Sequence, residues 1–319
     1  MLHGGRMKLN SNTTAILFPG QGSQTVGMGK ELAEQFPAAK QVFDEADALL
    51  GFSISSLMWN GPETDLNDTV NTQPALFIHS IAAFQTFTRL HPDLKPAALA
   101  GHSLGELSAL CAADAFSFAD GLRLVRKRGE LMKRAGELAP GGMAAILGLD
   151  IPTLDKVCAE ASVPDELVQV ANDNCPGQVV ISGAKAAVER AMAGAKTAGA
   201  KRALPLAVSI AAHSPLMASI QEEWNRAVDA VTMNDLNIPV VGNVHAALMK
   251  TAEEARADLK AQMQSRVKWT DSVRLMSGMG INAFVEAGTG TVLGGLVKRI
   301  AADAANYPLG NPQDFAALE

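Results

Sequence analysis

The stretch LAGHSLGELSAL, residues 99–110, constrains the fold more than any other part of the chain. Within it, Gly101-His102-Ser103-Leu104-Gly105 follows an apolar run and precedes a helix-like pattern. Glycine, any residue, serine, any residue, glycine in that setting predicts a sharp strand-to-helix turn with Ser103 raised at its tip. The two glycines permit the tight turn and the close backbone packing that expose the hydroxyl.

Strand and helix patterns alternate along the rest of the chain, as in an α/β protein. Ala15–Phe18 reads as a short strand ending in the loop Pro19-Gly20-Gln21-Gly22-Ser23-Gln24. Residues 75–90, 104–114 and 118–134 read as helices, and Pro96–Ala100 as the strand feeding Ser103. Residues 143–207 follow a strand, helix, strand, strand, helix, strand order, the ferredoxin-like unit, inserted as a small second domain. The larger pattern then resumes, with helices at 215–230, 252–264, 269–279 and 291–302 and strands at 238–241 and 282–286. The expected organisation is a leader without structure over 1–14, a discontinuous α/β domain over 15–140 and 208–319, and a small domain over 141–207.

Ser103 needs a base, because a serine hydroxyl is a weak nucleophile. His102 is adjacent, but neighbours on a sharp turn point apart. His79 falls in a helical pattern, His91 beside a proline, and His245 after a strand with no evident partner. His213, in SIAAHSP, follows a strand and precedes a helix, the position where sites in open α/β sheets gather. For the oxyanion, the backbone N–H of Leu104 is one donor, and the glycine-rich loop offers Gln21 as the other. His3-Gly4-Gly5 imitates a lipase-type donor loop but follows no strand. Arg128 lies beside the apolar stripe of its helix, among Leu122, Val125, Gly129 and Met132. It either snorkels to water or is held in a pocket to grip a carboxylate.

Several classes are excluded or made remote. The net charge of −6 does not suit nucleic acid as main partner. The glycine-rich loops lack the third glycine of a dinucleotide fingerprint, with Thr25 and Leu293 in its place, and no Gly-Lys-Ser/Thr follows. Six histidines and three cysteines never fall at metal-ligand spacing, so no metal is expected. The cysteines, Cys111, Cys158 and Cys175, suit a reducing, cytoplasmic setting. No apolar run approaches the ~20 residues of a membrane helix.

Taken together, LFPGQGSQ (17–24), TQPAL (72–76), AGHSLGE (100–106), RLVRKRG (123–129), MAAILGL (143–149), NCPGQVVISG (174–183), KRALPLAVS (201–209) and GTGTVLGGLVKRI (288–300) resemble the malonyl-CoA:acyl carrier protein transacylases. These are acyltransferases of fatty-acid and polyketide synthesis. The resemblance implies an α/β-hydrolase-like domain with a ferredoxin-like insertion. It makes Ser103 the acylated nucleophile, His213 the base, Gln21 and Leu104 the backbone oxyanion donors, and Arg128 the partner of the malonyl carboxylate. It assigns the orientation of His213 to the main-chain carbonyl of Gln262, and places Gln73 and Asn172 along the pocket. Ala211-Ala212 and Gly288-Thr289-Gly290 depart from the usual family residues.

The implied cycle is ping-pong through malonyl-Ser103, with a histidine of pKa near ~6.5 serving both halves and no cofactor. The partners expected are malonyl-CoA and an acidic acyl carrier protein, met by Lys196, Lys201, Arg202, Lys298 and Arg299, with the enzyme a monomer. A serine esterase or thioesterase shares the turn and histidine but has no need of Arg128. A non-catalytic carrier-binding module has no need of Ser103, His213 and Arg128 together.

Overall fold

Short apolar runs too buried to alternate become the strands of a parallel sheet covered on both faces. The structure, a computed structural model, describes residues 9–318. Its strands are β1 (Thr14–Phe18), β2 (Ala98–Gly101), β3 (Gly141–Leu147), β4 (Val168–Cys175), β5 (Gln178–Ala184), β6 (Arg202–Pro205), β7 (Val240–Val241), β8 (Leu248–Met249), β9 (Ala283–Ala287) and β10 (Ala305–Leu309). The larger sheet has six strands in the order β10-β9-β1-β2-β7-β8. All neighbours are parallel except the edge pair β7 and β8. Ile16, Phe18 and Leu99 face one apolar core with the helices Thr69–Leu90 and Phe118–Leu138, whereas Ala15, Leu17, Ala98 and Ala100 face another. Burying a side chain such as Phe18 or Phe77 contributes about 1.5–3 kcal/mol.

The two glycines of the serine turn are sterically required. A Cβ on Gly101 would lie 1.9 Å from the carbonyl of Gly105, and one on Gly105 would lie 2.0 Å from the carbonyl oxygen of Phe18. The helix Gly105–Ala112 therefore starts directly over the ends of β1 and β2, leaving Ser103 at the carboxyl edge of the sheet.

The smaller sheet has four antiparallel strands in the order β4-β5-β3-β6. With helices Ile151–Ala161 and Lys185–Thr197 it forms the βαββαβ unit expected from the sequence. Ala144, Ile146, Val170 and Ile181 point to those helices. Met143, Ala145 and Val180 point the other way, over Ser103. A bulge between Val170 and Asn172 inserts one extra residue in β4. It reverses the facing of the strand beyond it, so Val170 enters the core while Asn172 enters the cleft.

Some expectations change. Residues 1–8 of the expected leader, including His3-Gly4-Gly5, lie outside the described residues. Residues 9–14 belong to the fold: Leu9 packs on the core, the Thr13 carbonyl accepts the N–H groups of Asn282 and Ala283, and Thr14 begins β1. Four helices, Lys30–Gln35, Pro37–Leu50, Ile54–Asn60 and Glu63–Leu66, occupy a region given no assignment from sequence. The expected helix at 75–90 begins at Thr69 and runs through Pro74. Proline removes the N–H that would bond the Val70 carbonyl, and Arg126 Nη1 donates to that oxygen instead at 3.3 Å. Among the described residues no helix is long and apolar enough to cross a membrane.

Candidate active site

Ser103 has φ +53°, a left-handed conformation costly for a residue with a Cβ, by about 1–2 kcal/mol. Asn243, just after β7, holds it there. Its Oδ1 accepts the Ser103 N–H at 2.7 Å, while its Nδ2 donates to the Gly101 carbonyl at 2.7 Å. The Asn243 N–H in turn donates to Glu106 Oε2 at 3.0 Å. Burial and the neighbouring Asp258 carboxyl push Glu106 well above the usual carboxylate range.

His213 follows β6 in a loop, also at positive φ, and is 2 % exposed. The Ser103 hydroxyl lies 2.7 Å from its Nε2. Its Nδ1 lies 2.9 Å from the Gln262 carbonyl and 3.2 Å from that of Ser265. Carbonyls only accept, so Nδ1 carries the proton and Nε2 presents a lone pair to the serine. Gln169 of β4 ties the loops together, donating to the carbonyls of both His213 and Gln264. The pKa is not the ordinary one expected from sequence. Burial first, then the positive charge of Arg128, push it down to about 3. The imidazole is neutral at pH 7, the form that can accept a proton.

Arg128 is 1 % exposed, which rules out the snorkelling alternative. Nη1 donates to Gln73 Oε1 at 3.0 Å; Nη2 donates to Gln262 Oε1 at 2.9 Å and to Ser103 Oγ at 3.2 Å. All three acceptors are neutral, and Nε has no acceptor among the described residues. Burial lowers its pKa to about 10, opposed by the charge of Glu106. A buried cation bonded only to neutral oxygens favours an anionic group brought to it.

Gln21, Ser103, Arg128, Asn172 and His213 line one cavity of about 350 Å³ between the two sheets. Met132, Met143, Val180, Ile210 and Ala212 give it apolar walls. Gln73 does not line it: fully buried, it stands behind Arg128. Among the described residues, neither the Gln21 nor the Leu104 N–H donates to a backbone carbonyl. His102 turns aside, its Nε2 2.8 Å from Asn174 Oδ1. His79 bonds Thr289 and Gly310 away from the cavity. Among the described residues, no three His, Cys, Asp or Glu side chains cluster as a metal site would require.

Three supports escaped the sequence reading: Asn243, Gln169 and the side chain of Gln262, whose Nε2 donates to the Ser103 carbonyl at 2.9 Å. For Asn243 a signal existed, since PVVGN ends a strand of the parallel sheet beside the serine turn. Gln169 is brought in by the packing of the small domain and carries no such mark.

The acyl transferase domain family matches residues 16–307. The malonyl CoA-acyl carrier protein transacylase of Bacillus subtilis (strain 168) is 47% identical over 286 residues, 90% of each chain. That of Escherichia coli (strain K12) is 43% identical over 303 residues, covering 95% of this chain and 97% of that one. The crystal structure of an acyl carrier protein S-malonyltransferase from Vibrio cholerae superposes with a TM-score of 0.93 at 42% identity, covering 96% of this chain and 100% of the other. A malonyl-transacylase solved in complex with a type II PKS acyl-carrier protein gives a TM-score of 0.91 at 39% identity, covering 96% and 98%. The chain belongs to the acyl transferase domain family and, within it, to the malonyl CoA-acyl carrier protein transacylases.

Proposed function

We propose that this enzyme transfers a malonyl group from malonyl-CoA to the phosphopantetheine thiol of an acyl carrier protein through a malonyl ester on Ser103. One observation carries the reading: the Ser103 hydroxyl lies 2.7 Å from an imidazole nitrogen and 3.2 Å from a buried guanidinium. A hydrolase of uncharged esters has no use for the second contact.

Ser103 Oγ attacks the thioester carbon while His213 Nε2 takes its proton. The carbonyl oxygen becomes an oxyanion, received by the N–H groups of Gln21 and Leu104. The C–S bond then breaks, His213 returns its proton to the CoA sulfur, and malonyl remains on Ser103. In the second half the carrier thiol gives its proton to His213 and its sulfur attacks the ester carbon. The C–O bond breaks and the proton returns to Ser103. The cycle uses only the chain's own groups.

Arg128 selects the acyl group and also conditions the base. Its charge depresses His213. A malonyl carboxylate on the guanidinium offsets that charge and makes the imidazole more basic when substrate is present. Removing Arg128 would leave that carboxylate buried and unpaired, at about 2–5 kcal/mol.

Lys196, Lys201, Arg202, Lys298 and Arg299 are exposed and suit an acidic carrier. Arg299 also spans to the small domain, donating to Gln178 Oε1 at 2.6 Å and to the Pro176 carbonyl at 2.9 Å. Gln178 lines the cavity, so Arg299 stands near its mouth. Intact-protein mass after mixing with malonyl-CoA tests the cycle: it requires a malonyl adduct on Ser103 that carrier protein removes. An enzyme that transfers malonyl with Ser103 replaced by alanine would overturn it.

A further inference from the structure

One unbroken series of hydrogen bonds leads from the guanidinium to the loop of Gln21, and two of its members, Gln73 and Thr69, have no part in the cycle above. Arg128 Nη1 donates to Gln73 Oε1 at 3.0 Å. Gln73 Nε2 donates to Thr69 Oγ1 at 3.1 Å, and Thr69 Oγ1 donates to Gln21 Oε1 at 3.0 Å. The direction is forced as far as Thr69. A guanidinium only donates, so the Gln73 oxygen faces Arg128 and its NH₂ faces Thr69. The Thr69 hydroxyl, receiving that NH₂, spends its single proton on Gln21. Bonds aligned in this sense, starting from a cation, strengthen one another.

We infer that Thr69 is a positioning residue: its hydroxyl holds Gln21, and hence the Gln21 N–H, in register with Arg128. The inference rests on the reading of Gln21 as an oxyanion donor. That loop needs holding. Gln21 itself is exposed, and Gly22 beside it adopts φ +104°. An oxyanion donor acts only when fixed in advance within hydrogen-bond distance of the developing charge.

Thr69 is a firm post for the purpose because its backbone is fixed by other contacts. The Phe118–Leu138 helix approaches so closely that a Cβ on Gly129 would lie 2.7 Å from the Thr69 carbonyl oxygen. On one side of Thr69, Asp68 Oδ2 pairs with Lys133 Nζ at 2.6 Å. On the other, Arg126 donates to the Val70 carbonyl and to Asn71 Oδ1. None of these contacts uses the hydroxyl, so Thr69→Val removes the link and leaves the post standing.

The test is the rate of CoA release in the acylation half-reaction, measured with acetyl-CoA and malonyl-CoA on Thr69→Val, Thr69→Ser and both Thr69→Val and Arg128→Ala combined. Thr69→Val is expected to lower kcat about tenfold for both substrates with KM unchanged, since a displaced donor costs less than a deleted one. Thr69→Ser is expected to stay within about twofold of the unaltered enzyme, because it keeps the donor. On an Arg128→Ala background, where Gln73 has lost the group that orients it, the cost of Thr69→Val should shrink to about threefold or less. An unchanged kcat in Thr69→Val, an equal loss in Thr69→Ser, or an undiminished cost beside Arg128→Ala would each overturn the inference. The acetyl readout keeps it separate from carboxylate recognition. If Arg128→Ala slowed acetyl and malonyl transfer equally, that recognition would fail while Thr69 would still be judged on acetyl-CoA alone.

Discussion

The molecule contains the same trio of groups twice. At the cavity, a hydroxyl meets imidazole nitrogen at 2.7 Å and the other nitrogen meets a backbone carbonyl at 2.9 Å: Ser103, His213 and Gln262. Elsewhere Thr289, His79 and Gly310 repeat it at 2.7 and 2.9 Å. Burial depresses both imidazoles, His213 to about 3 and His79 to about 4. Hydroxyl, imidazole and carbonyl therefore do not by themselves distinguish the cavity from the second place. What surrounds them differs. Ser103 sits at positive φ on a turn whose next N–H meets no backbone acceptor among the described residues, with a guanidinium against its oxygen. Among the described residues no arginine bonds the hydroxyl at His79, and the charge that acts on the imidazole is that of Asp314. In the proposed cycle the first trio is the machinery; the second joins the Thr69–Leu90 helix to the loops after β9 and β10.

Substitutions should divide the two trios sharply. Ser103→Ala and His213→Ala should each lower kcat by about 10³-fold or more. Arg128→Ala should reduce kcat/KM for malonyl-CoA by roughly 30-fold to several thousand-fold, from the cost of an unpaired buried carboxylate. Its effect on acetyl-CoA should remain within about tenfold, the share of positioning alone. Equal losses for the two substrates would remove Arg128 from carboxylate recognition. Thr289→Val, by contrast, should lower unfolding stability by about 1–3 kcal/mol and leave kcat within about twofold, because it strands a buried imidazole nitrogen. A large loss of kcat with unchanged stability would break the distinction.

Acid sharpens the contrast further. Both histidines have folded pKa values below the unfolded value of about 6.5, so below that pH the unfolded chain binds protons that the native protein refuses. Their contribution to stability is intact above about 6.5 and declines as pH falls toward the folded values of about 4 and 3. For His79 this amounts to roughly 2 kcal/mol between pH 7 and pH 5. Denaturant titrations should show that much less pH dependence in His79→Gln than in the unaltered protein. Over the same interval, kcat/KM for malonyl-CoA should stay level, since His213 keeps its base form. A fall in kcat/KM centred near 6.5 would show that burial and Arg128 do not depress it. The smallest effect concerns the surface cations: raising salt from ~50 to ~300 mM should slow carrier-dependent discharge by a few-fold and spare the CoA half-reaction.

The sequence was informative where one residue type answers one need. Gly101 and Gly105 could be read because no side chain fits where strand end and helix start meet. Ser103 and His213 stood at strand-to-helix junctions, and Arg128 broke the polarity pattern of its helix. Its burial could not be read, because a cation beside an apolar stripe suits either water or a pocket until the facing element is known. Asn172 was reached only through the family resemblance, because the β4 bulge defeats alternation. Of the missed helices between residues 30 and 66, three are short and lie among polar and glycine-flanked turns, whereas Pro37–Leu50 carried a legible apolar face in Ala39, Val42, Phe43 and Ala46. Asn243 and Gln169 act across more than a hundred and about forty positions of chain respectively, Asn243 on Ser103 and Gln169 on His213, and local pattern carries little of that.

The most direct measurement is peptide mass mapping of the enzyme after brief exposure to malonyl-CoA, with holo acyl carrier protein added afterwards. One malonyl group on the peptide bearing Ser103, none on that bearing Thr289, and transfer to the carrier thiol are the predicted results. Malonyl on Thr289, or an unmodified Ser103 in enzyme that is turning over, would contradict the account.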